Sequence, residues 1–238
     1  MHKAWWLGGV GLLVVAAALG AAKVSGVAFG AKDAPKVEPT LEFTPGEAVS
    51  QGIVGDFLGG LFDDVLTVDP HLHRIDRLEE AIPRGNPVLL SAAAPLARLI
   101  AERWPDALLV GPDSESEQWV ANIAQAGGLE CAISHKVRHG DREVCVSLPD
   151  TAIAGRTVVL IDDIASTGRT LAAAARQLKA RGALAVHAAV THALIDADSL
   201  AALHAAGVDS FLSSNSVPHP SNAIALETLL AEAVRALA

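Results

Sequence analysis

Val158-Val159-Leu160-Ile161-Asp162-Asp163-Ile164-Ala165-Ser166-Thr167-Gly168-Arg169-Thr170-Leu171 is the stretch on which the reading of this chain turns. Residues Thr157–Ile161, β-branched or Leu throughout and bounded by Gly155 and Asp162, read as a buried strand. Two carboxylates stand at its carboxyl end. A short loop of small and hydroxyl residues follows, and then Leu171, Ala174, Ala175 and Leu178 recur at helical spacing until Gly182 stops the helix. The free N–H groups of residues 165–170 and the helix N-terminus make an anion site sized for a phosphate. Thr167 and Thr170 add hydroxyl donors, and Gly168 lets the backbone approach closely. Asp162 and Asp163 stand beside that phosphate and cannot bind it. They suit hydroxyl groups one sugar away, directly or through Mg²⁺. A ligand with a phosphate at one end and a cis-diol nearby is a pentose 5-phosphate. Helix capping by Asp163 or Ser166 accounts for one polar residue, not for a strand, two acids and Thr-Gly-x-Thr in order.

The same alternation extends outward. Helices are expected at Ala48–Leu61, Ala92–Arg103, Ser116–Ala126, Ser199–Ala206 and Asn222–Leu237. Strands are expected at Asp64–Val68, Ala107–Gly111, Cys131–His135, Val186–His192 and Ser210–Ser213. Strands alternating with helices of about ten residues or more specify an α/β fold with a mostly parallel sheet flanked by helices. In such sheets ligands bind beyond the carboxyl ends of the strands. The loops after Ile161, Val110, His135 and Val68 are therefore where chemistry is expected.

Composition narrows the function. The chain has 238 residues, 51% of them apolar and 19% charged, which excludes general disorder. Its net charge is −9, and the first forty residues hold four lysines against two acids, so the remainder is the more acidic part. That balance argues against nucleic-acid binding, which needs many cationic phosphate contacts. With no Tyr and 4% aromatic residues there is little to stack single strands on. Cys131 and Cys145, the two cysteines, make neither a disulfide framework nor a zinc site. The N-terminus differs from the rest: Ala4 to Ala22 carries no charge, and Lys23 ends the run. Its length approaches the ~20 residues of a spanning helix, and its small residues resemble a cleavable export signal. We therefore expect an apolar N-terminal helix over 1–24, signal-like or transmembrane, that attaches a cytoplasmic body to a membrane through residues 4–22. Residues 25–40, with Pro35 and Pro39, read as a linker.

Further motifs carry a family resemblance. Phe43-Thr44-Pro45-Gly46-Glu47-Ala48-Val49-Ser50, Val68-Asp69-Pro70-His71-Leu72-His73, Val110-Gly111-Pro112-Asp113, Lys136 to Val144 and Ser216-Val217-Pro218-His219-Pro220 occur in this order around the central stretch. The central stretch resembles the phosphoribosyl-pyrophosphate (PRPP) loop of type I phosphoribosyltransferases, and the set as a whole, over residues 41–238, resembles ribose-phosphate diphosphokinases. The resemblance implies a phosphoribosyltransferase-like domain at 87–238, preceded at 41–86 by a remnant of the family's N-terminal domain. It also implies transfer of a diphosphoryl group from ATP to ribose 5-phosphate. It assigns ribose 5-phosphate binding to Asp162, Asp163, Ser166, Thr167, Gly168, Arg169 and Thr170. Lys136 and Arg138 become the catalytic Lys-x-Arg, two residues apart and so on one face of a strand, where cations meet charge on the phosphoryl oxygens. Asp113 and His71 become ligands of the Mg²⁺ of Mg-ATP, with His73 a weaker candidate. A homo-oligomer is implied as well, and Phe57, Leu61 and Phe62 are the surface candidates.

The sequence departs from the family at three points. The family's Arg-Gln-Asp element, which serves adenine and phosphate, is replaced by Pro39-Thr40-Leu41-Glu42, and the acidic Glu42 is wrong for a triphosphate. Ser166 stands where many members have Asp, and Ser214-Asn215-Ser216 replaces a more usual Thr-Asp-Thr or Thr-Asp-Ser. Three readings follow: a diphosphokinase, whole or impaired on the ATP side; a phosphoribosyltransferase that consumes PRPP with a base; and a non-catalytic relative. His71, Lys136 and Arg138 favour the first over the second, whereas the altered 39–42 element favours the third.

Overall fold

The computed structural model describes residues 12–15, 50–72, 77–113, 116–133, 135–139, 143–147 and 153–237. The chain divides into two compact units, Met1–Leu90 and Ser91–Ala238.

The first unit holds β1 (Leu12–Val15), α1 (Ser50–Leu61), β2 (Asp64–Val68), α2 (Leu78–Ala81) and β3 (Asn86–Leu90). Its strands form one parallel sheet in the order β1-β2-β3. Val65, Leu78, Ala81 and Ile82 are buried together, with Leu58, Phe62 and Leu72 packed against them. Gly55 and Gly59 bring α1 onto the 81–84 segment: a Cβ at either would collide with the carbonyl oxygen of Ala81 or Arg84. Arg84 then reaches back to Asp56 through two hydrogen bonds of 2.8 and 2.6 Å. β3 escapes a reading by pattern because Pro87 interrupts it. It is tolerated because β3 is an edge strand, paired among the described residues with β2 alone, where a missing N–H need break no ladder bond.

The second unit opens with α3 (Ala93–Arg103), β4 (Leu108–Gly111), α4 (Glu117–Gly127) and β5 (Glu130–Ile133), continues with the hairpin β6 (His135–His139) and β7 (Glu143–Ser147), then β8 (Thr157–Ala165), α5 (Arg169–Ala180), β9 (Ala185–Ala193) and α6 (Ala197–Ala205), and ends with β10 (Ser210–Ser214), β11 (Asn222–Ile224) and α7 (Glu227–Leu237). Six strands form a parallel sheet in the order β11-β10-β9-β8-β4-β5. The expected α/β fold with a parallel sheet and flanking helices is therefore present. β4 is buried along its whole length, as are Val158 to Ile161 of β8. Strands covered on both faces read as continuous apolar runs, which is why these two were legible. α5 turns Leu171, Ala174, Ala175 and Leu178 into the core that includes Val158, Leu160, Val186 and Ala188.

Three expected elements differ. β8 runs on through Asp162, Asp163 and Ile164 to Ala165, because β9 continues to pair with it there, Ile164 opposite His192 and Ala165 opposite Ala193. The last expected helix, Asn222–Leu237, begins instead at Glu227. The Asn222 side chain donates to Ser213 Oγ and to the Ser214 carbonyl, and this draws residues 222–224 into the sheet. Of the apolar run expected to be helical, the described residues Leu12–Val15 form a strand beside β2. Two leucines and two valines in succession suit a buried strand as well as a helix. Among the described residues no helix is long and apolar enough to cross a membrane. The rest of segment 1–24, through which membrane attachment was expected, lies outside the described residues. So do the linker 25–40, the 43–49 element and His73.

Candidate functional site

Parallel strands leave the second unit's sheet at a common end, and neighbouring strands place their loops side by side. β4 and β8 are neighbours, paired from Leu108–Val158 to Val110–Leu160. β4 stops at Gly111, whereas β8 continues to Ala165 and carries both carboxylates past its neighbour. Along that extension burial alternates. Asp163 is 3% exposed and Asp162 is partly open.

The loop after β8 is short: Ser166, Thr167 and Gly168, with Ser166 and Thr167 exposed. Gly168 has φ 63°, in the left-handed region that glycine enters without steric penalty. A Cβ there would also stand 2.9 Å from Ile195 Cδ1. The first bond of α5 runs from Ala172 N–H to the Gly168 carbonyl. The N–H groups before Ala172 therefore have no partner within the helix. No side chain caps α5, and no acid stands in its first turn, where Arg169 and Thr170 lie instead. A helix that begins this way keeps its positive end for an anion.

Electrostatics single out the first carboxylate. Asp162 lies well above the usual carboxylate range. Burial is the largest cause, and the negative charges of Asp163 and Asp113 add to it. The Asp163 N–H, donating to Asp162 Oδ1 at 3.1 Å, opposes them in part. Three carboxylates thus crowd one corner of the sheet. Such a corner is relieved by a proton, by donating hydroxyl groups or by a cation. The sign of the linkage is fixed: a carboxyl raised in the folded state contributes stability that is present below its unfolded value, near pH 4, and lost as pH rises through the folded value. Asp162→Asn should therefore raise the melting temperature at pH 7.5 and flatten its decline between pH 4 and 8. Each tenfold displacement of the proton equilibrium is worth about 1.4 kcal/mol, or about 3–6 °C for a domain of this size. Thermal melts across that range check it, and a lower melting temperature for the Asn variant at pH 7.5 would contradict it.

The neighbouring loop is also built by sequence. Ser116, 1% exposed, donates to the Asp113 carbonyl at 2.7 Å. Gly111 makes room, since a Cβ there would press on Ser116 Oγ. The Ser116 hydroxyl thus serves the Asp113 carbonyl and does not cap α4.

The other expected site residues fall elsewhere. His71 follows β2 in the first unit and is half-buried. Two residues before it, Asp69 is buried at φ 40°, the one non-glycine with positive φ among the described residues. Asp tolerates that region better than most residues, and strain of this kind gathers at functional loops. Lys136 and Arg138 lie on β6, opposite Val146 and Val144 of β7, in a two-stranded sheet of their own. Among the described residues no group of three or more His, Cys, Asp or Glu side chains is arranged to hold a metal.

A polar network at the ends of β9 and β10 went unread in the sequence. Thr191, His192, Ser213 and Ser214 are all fully buried. Ser214 Oγ donates to the Thr191 carbonyl at 2.6 Å, and Ser216 Oγ donates to the same carbonyl at 3.0 Å. Asn215 accepts from Leu226 N–H and donates to Glu227 Oε1, which fixes the start of α7. The Ser214-Asn215-Ser216 variation thus has a structural account: each of the three side chains closes a loop contact. The signal was two adjacent polar residues, Thr191 and His192, near the end of a strand otherwise apolar but for His187.

Comparison with known proteins places this geometry. Residues 82–219 match the phosphoribosyl transferase domain family. A ribose-phosphate pyrophosphokinase of Methanopyrus kandleri is 34% identical over 198 residues, covering 82% of this chain and 66% of the relative. Ribose-phosphate pyrophosphokinase 2 of Archaeoglobus fulgidus is 32% identical over 190 residues, covering 80% and 68%. Among solved structures, the phosphoribosylpyrophosphate synthetase of Mycobacterium smegmatis superposes with a TM-score of 0.67 at 27% identity, covering 80% of this chain and 64% of that one. The chain spans about two thirds of the length of the relatives it matches.

Proposed function

The chain belongs to the ribose-phosphate pyrophosphokinase family, and on that footing we propose that it binds ribose 5-phosphate at the β8–α5 loop and transfers the diphosphoryl group of ATP to the ribose 1-hydroxyl, yielding PRPP and AMP. The observation that carries this reading is β8 itself. It carries two carboxylates near its carboxyl end, and the short loop through Gly168 joins it to an uncapped helix N-terminus.

In this reading the 5-phosphate accepts hydrogen bonds from the N–H groups of the 166–170 loop and from the Thr167 and Thr170 hydroxyls, with Ser166 and Arg169 at its rim. Asp162 and Asp163 accept from the ribose hydroxyls, which orients the ring. The 1-hydroxyl oxygen attacks the β-phosphorus of ATP, the bond from that phosphorus to the bridging α–β oxygen breaks, AMP leaves with the electron pair, and the hydroxyl proton is released. Lys136 and Arg138 balance charge on the phosphoryl oxygens. The crowded carboxylates beside Asp162 would suit a Mg²⁺ that keeps most of its waters and takes few protein ligands. Asp113 is the residue of the second unit proposed to serve it. When bound, Mg²⁺ neutralises phosphate charge.

Titration of ribose 5-phosphate into the full chain, followed by ³¹P spectra with Mg-ATP, tests the proposal. The expected result is one saturable site per chain and formation of PRPP and AMP at less than about 1 s⁻¹, a slow rate for an enzyme, because the 39–42 element is poor for ATP. Absence of ribose 5-phosphate binding would overturn it, and so would consumption of PRPP that depends on an added nucleobase.

We also propose that the protein is a homo-oligomer. Ile53, Phe57 and Leu61 lie four residues apart along α1 and are 61%, 63% and 57% exposed, an apolar stripe of the kind that marks an interaction surface. Phe62, the third residue expected on that surface, packs instead against the first unit's core. Light scattering is expected to give a mass of at least two chains, reduced by Phe57→Glu with Leu61→Glu. A single-chain mass for the unmodified protein would contradict it.

A further inference from the structure

The β9–β10 network touches the phosphate loop's own strand. His192 is fully buried and stands opposite Ile164 in the β8–β9 register, two places beyond the pair Asp162–Val190. Registered neighbours in a sheet share a face, and side chains two residues apart do too. His192, Ile164 and Asp162 therefore lie on one face, with His192 at the point where β8 runs out toward Ser166. Its Nδ1 is 2.9 Å from Ser216 Oγ. The Ser216 hydroxyl is also placed to donate to the Thr191 carbonyl, which can only accept. Both contacts are satisfied together when Nδ1 carries a proton and donates to Ser216 Oγ. Were Nδ1 an acceptor, the hydroxyl proton would have to serve it and forsake the carbonyl. Ser216 is held in turn, its N–H donating to Ser214 Oγ at 3.2 Å.

We propose that His192 is a positioning residue for the ribose-phosphate loop. Its Nδ1–H, anchored on Ser216, locks the end of β9 and thereby holds the β8 extension that presents Asp162 and launches residues 166–170. The affinity claim rests on the ribose 5-phosphate reading given above; the claim about the lock does not. The lock exists because, among the described residues, β8 beyond Ile161 pairs with β9, whereas β4 pairs with β8 no further than Leu160. A strand end supported on one side is as ordered as the neighbour that supports it.

Four full-length proteins test this: the unmodified chain, His192→Asn, His192→Leu and Ser216→Ala. Asn places an amide N–H close to where Nδ1–H stands and should restore the donor, which Leu cannot. Two readouts are taken on each, ribose 5-phosphate affinity by titration calorimetry and hydrogen exchange of the backbone amides of residues 162–170. The expected result is a tenfold or greater loss of affinity and at least tenfold faster exchange in 162–170 for His192→Leu and Ser216→Ala, with His192→Asn within about threefold of the unmodified chain in both. Ser216→Ala removes one hydroxyl and no core volume, so it remains informative if His192→Leu does not fold. Unchanged exchange in the Leu and Ala variants would overturn the proposal, and so would an Asn variant as impaired as the Leu variant. Failure of the unmodified chain to bind ribose 5-phosphate would instead count against the ribose-phosphate reading, and exchange would still decide the lock.

Discussion

Asp162→Asn combined with Asp163→Asn is expected to abolish ribose 5-phosphate binding and leave the fold intact. Each carboxylate is proposed to accept hydroxyl hydrogen bonds, and a charge-assisted bond is worth about 1.5–3 kcal/mol. Losing two weakens binding by roughly 3–6 kcal/mol, or about 10²- to 10⁴-fold. Asn keeps the volume and part of the hydrogen bonding, so the β8–β9 pairing has no cause to open. The double variant also loses the repulsion that raises Asp162. Its melting temperature at neutral pH should therefore rise while its affinity falls. An unfolded protein would lose both, so the opposite signs identify a site. Calorimetry showing unchanged affinity in the double variant would remove Asp162 and Asp163 from the site.

ATP is expected to bind this chain far more weakly than ribose 5-phosphate does. The residues proposed for the sugar phosphate are all present: two acids, the hydroxyls of Ser166, Thr167 and Thr170, and the glycine that opens the turn. On the ATP side, Pro39-Thr40-Leu41-Glu42 stand where the family resemblance leads one to look for Arg, Gln and Asp. A guanidinium and an amide are missing from that element, and Glu42 adds repulsion toward a triphosphate. Two or more absent charge-assisted bonds at about 1.5–3 kcal/mol each separate the affinities by orders of magnitude. Parallel titrations with Mg-ATP and ribose 5-phosphate measure the difference directly. Equal affinities, or turnover above about 1 s⁻¹, would show that adenine and triphosphate find other partners in this chain.

The strands that sequence exposes are those buried on both faces. Asp64–Val68 matches β2 end for end, and the expected 107–111 strand matches β4 to within a residue. The elements it conceals are stabilised by pairing and not by their own pattern. β3 contains Pro87, β11 is three residues long and held by Asn222, and Asp162 to Ala165 read as a loop until β9 supplies a partner. The strand–loop–helix segment 157–180 was legible because it is contiguous: strand, acids, hydroxyls, glycine and helix follow one another in the chain. The crowding of Asp113 against Asp162 was not, since it depends on β4 lying beside β8. Nor was the contact of His192 with Ser216, which joins residues 24 positions apart.

The most direct test of the ribose-phosphate assignment is a crystal structure of the full chain with ribose 5-phosphate. The account predicts the phosphate within hydrogen-bond distance of the backbone N–H groups of residues 166–170, and the ribose hydroxyls on Asp162 and Asp163. A phosphate bound elsewhere on the molecule, with the 166–170 loop empty, would contradict it.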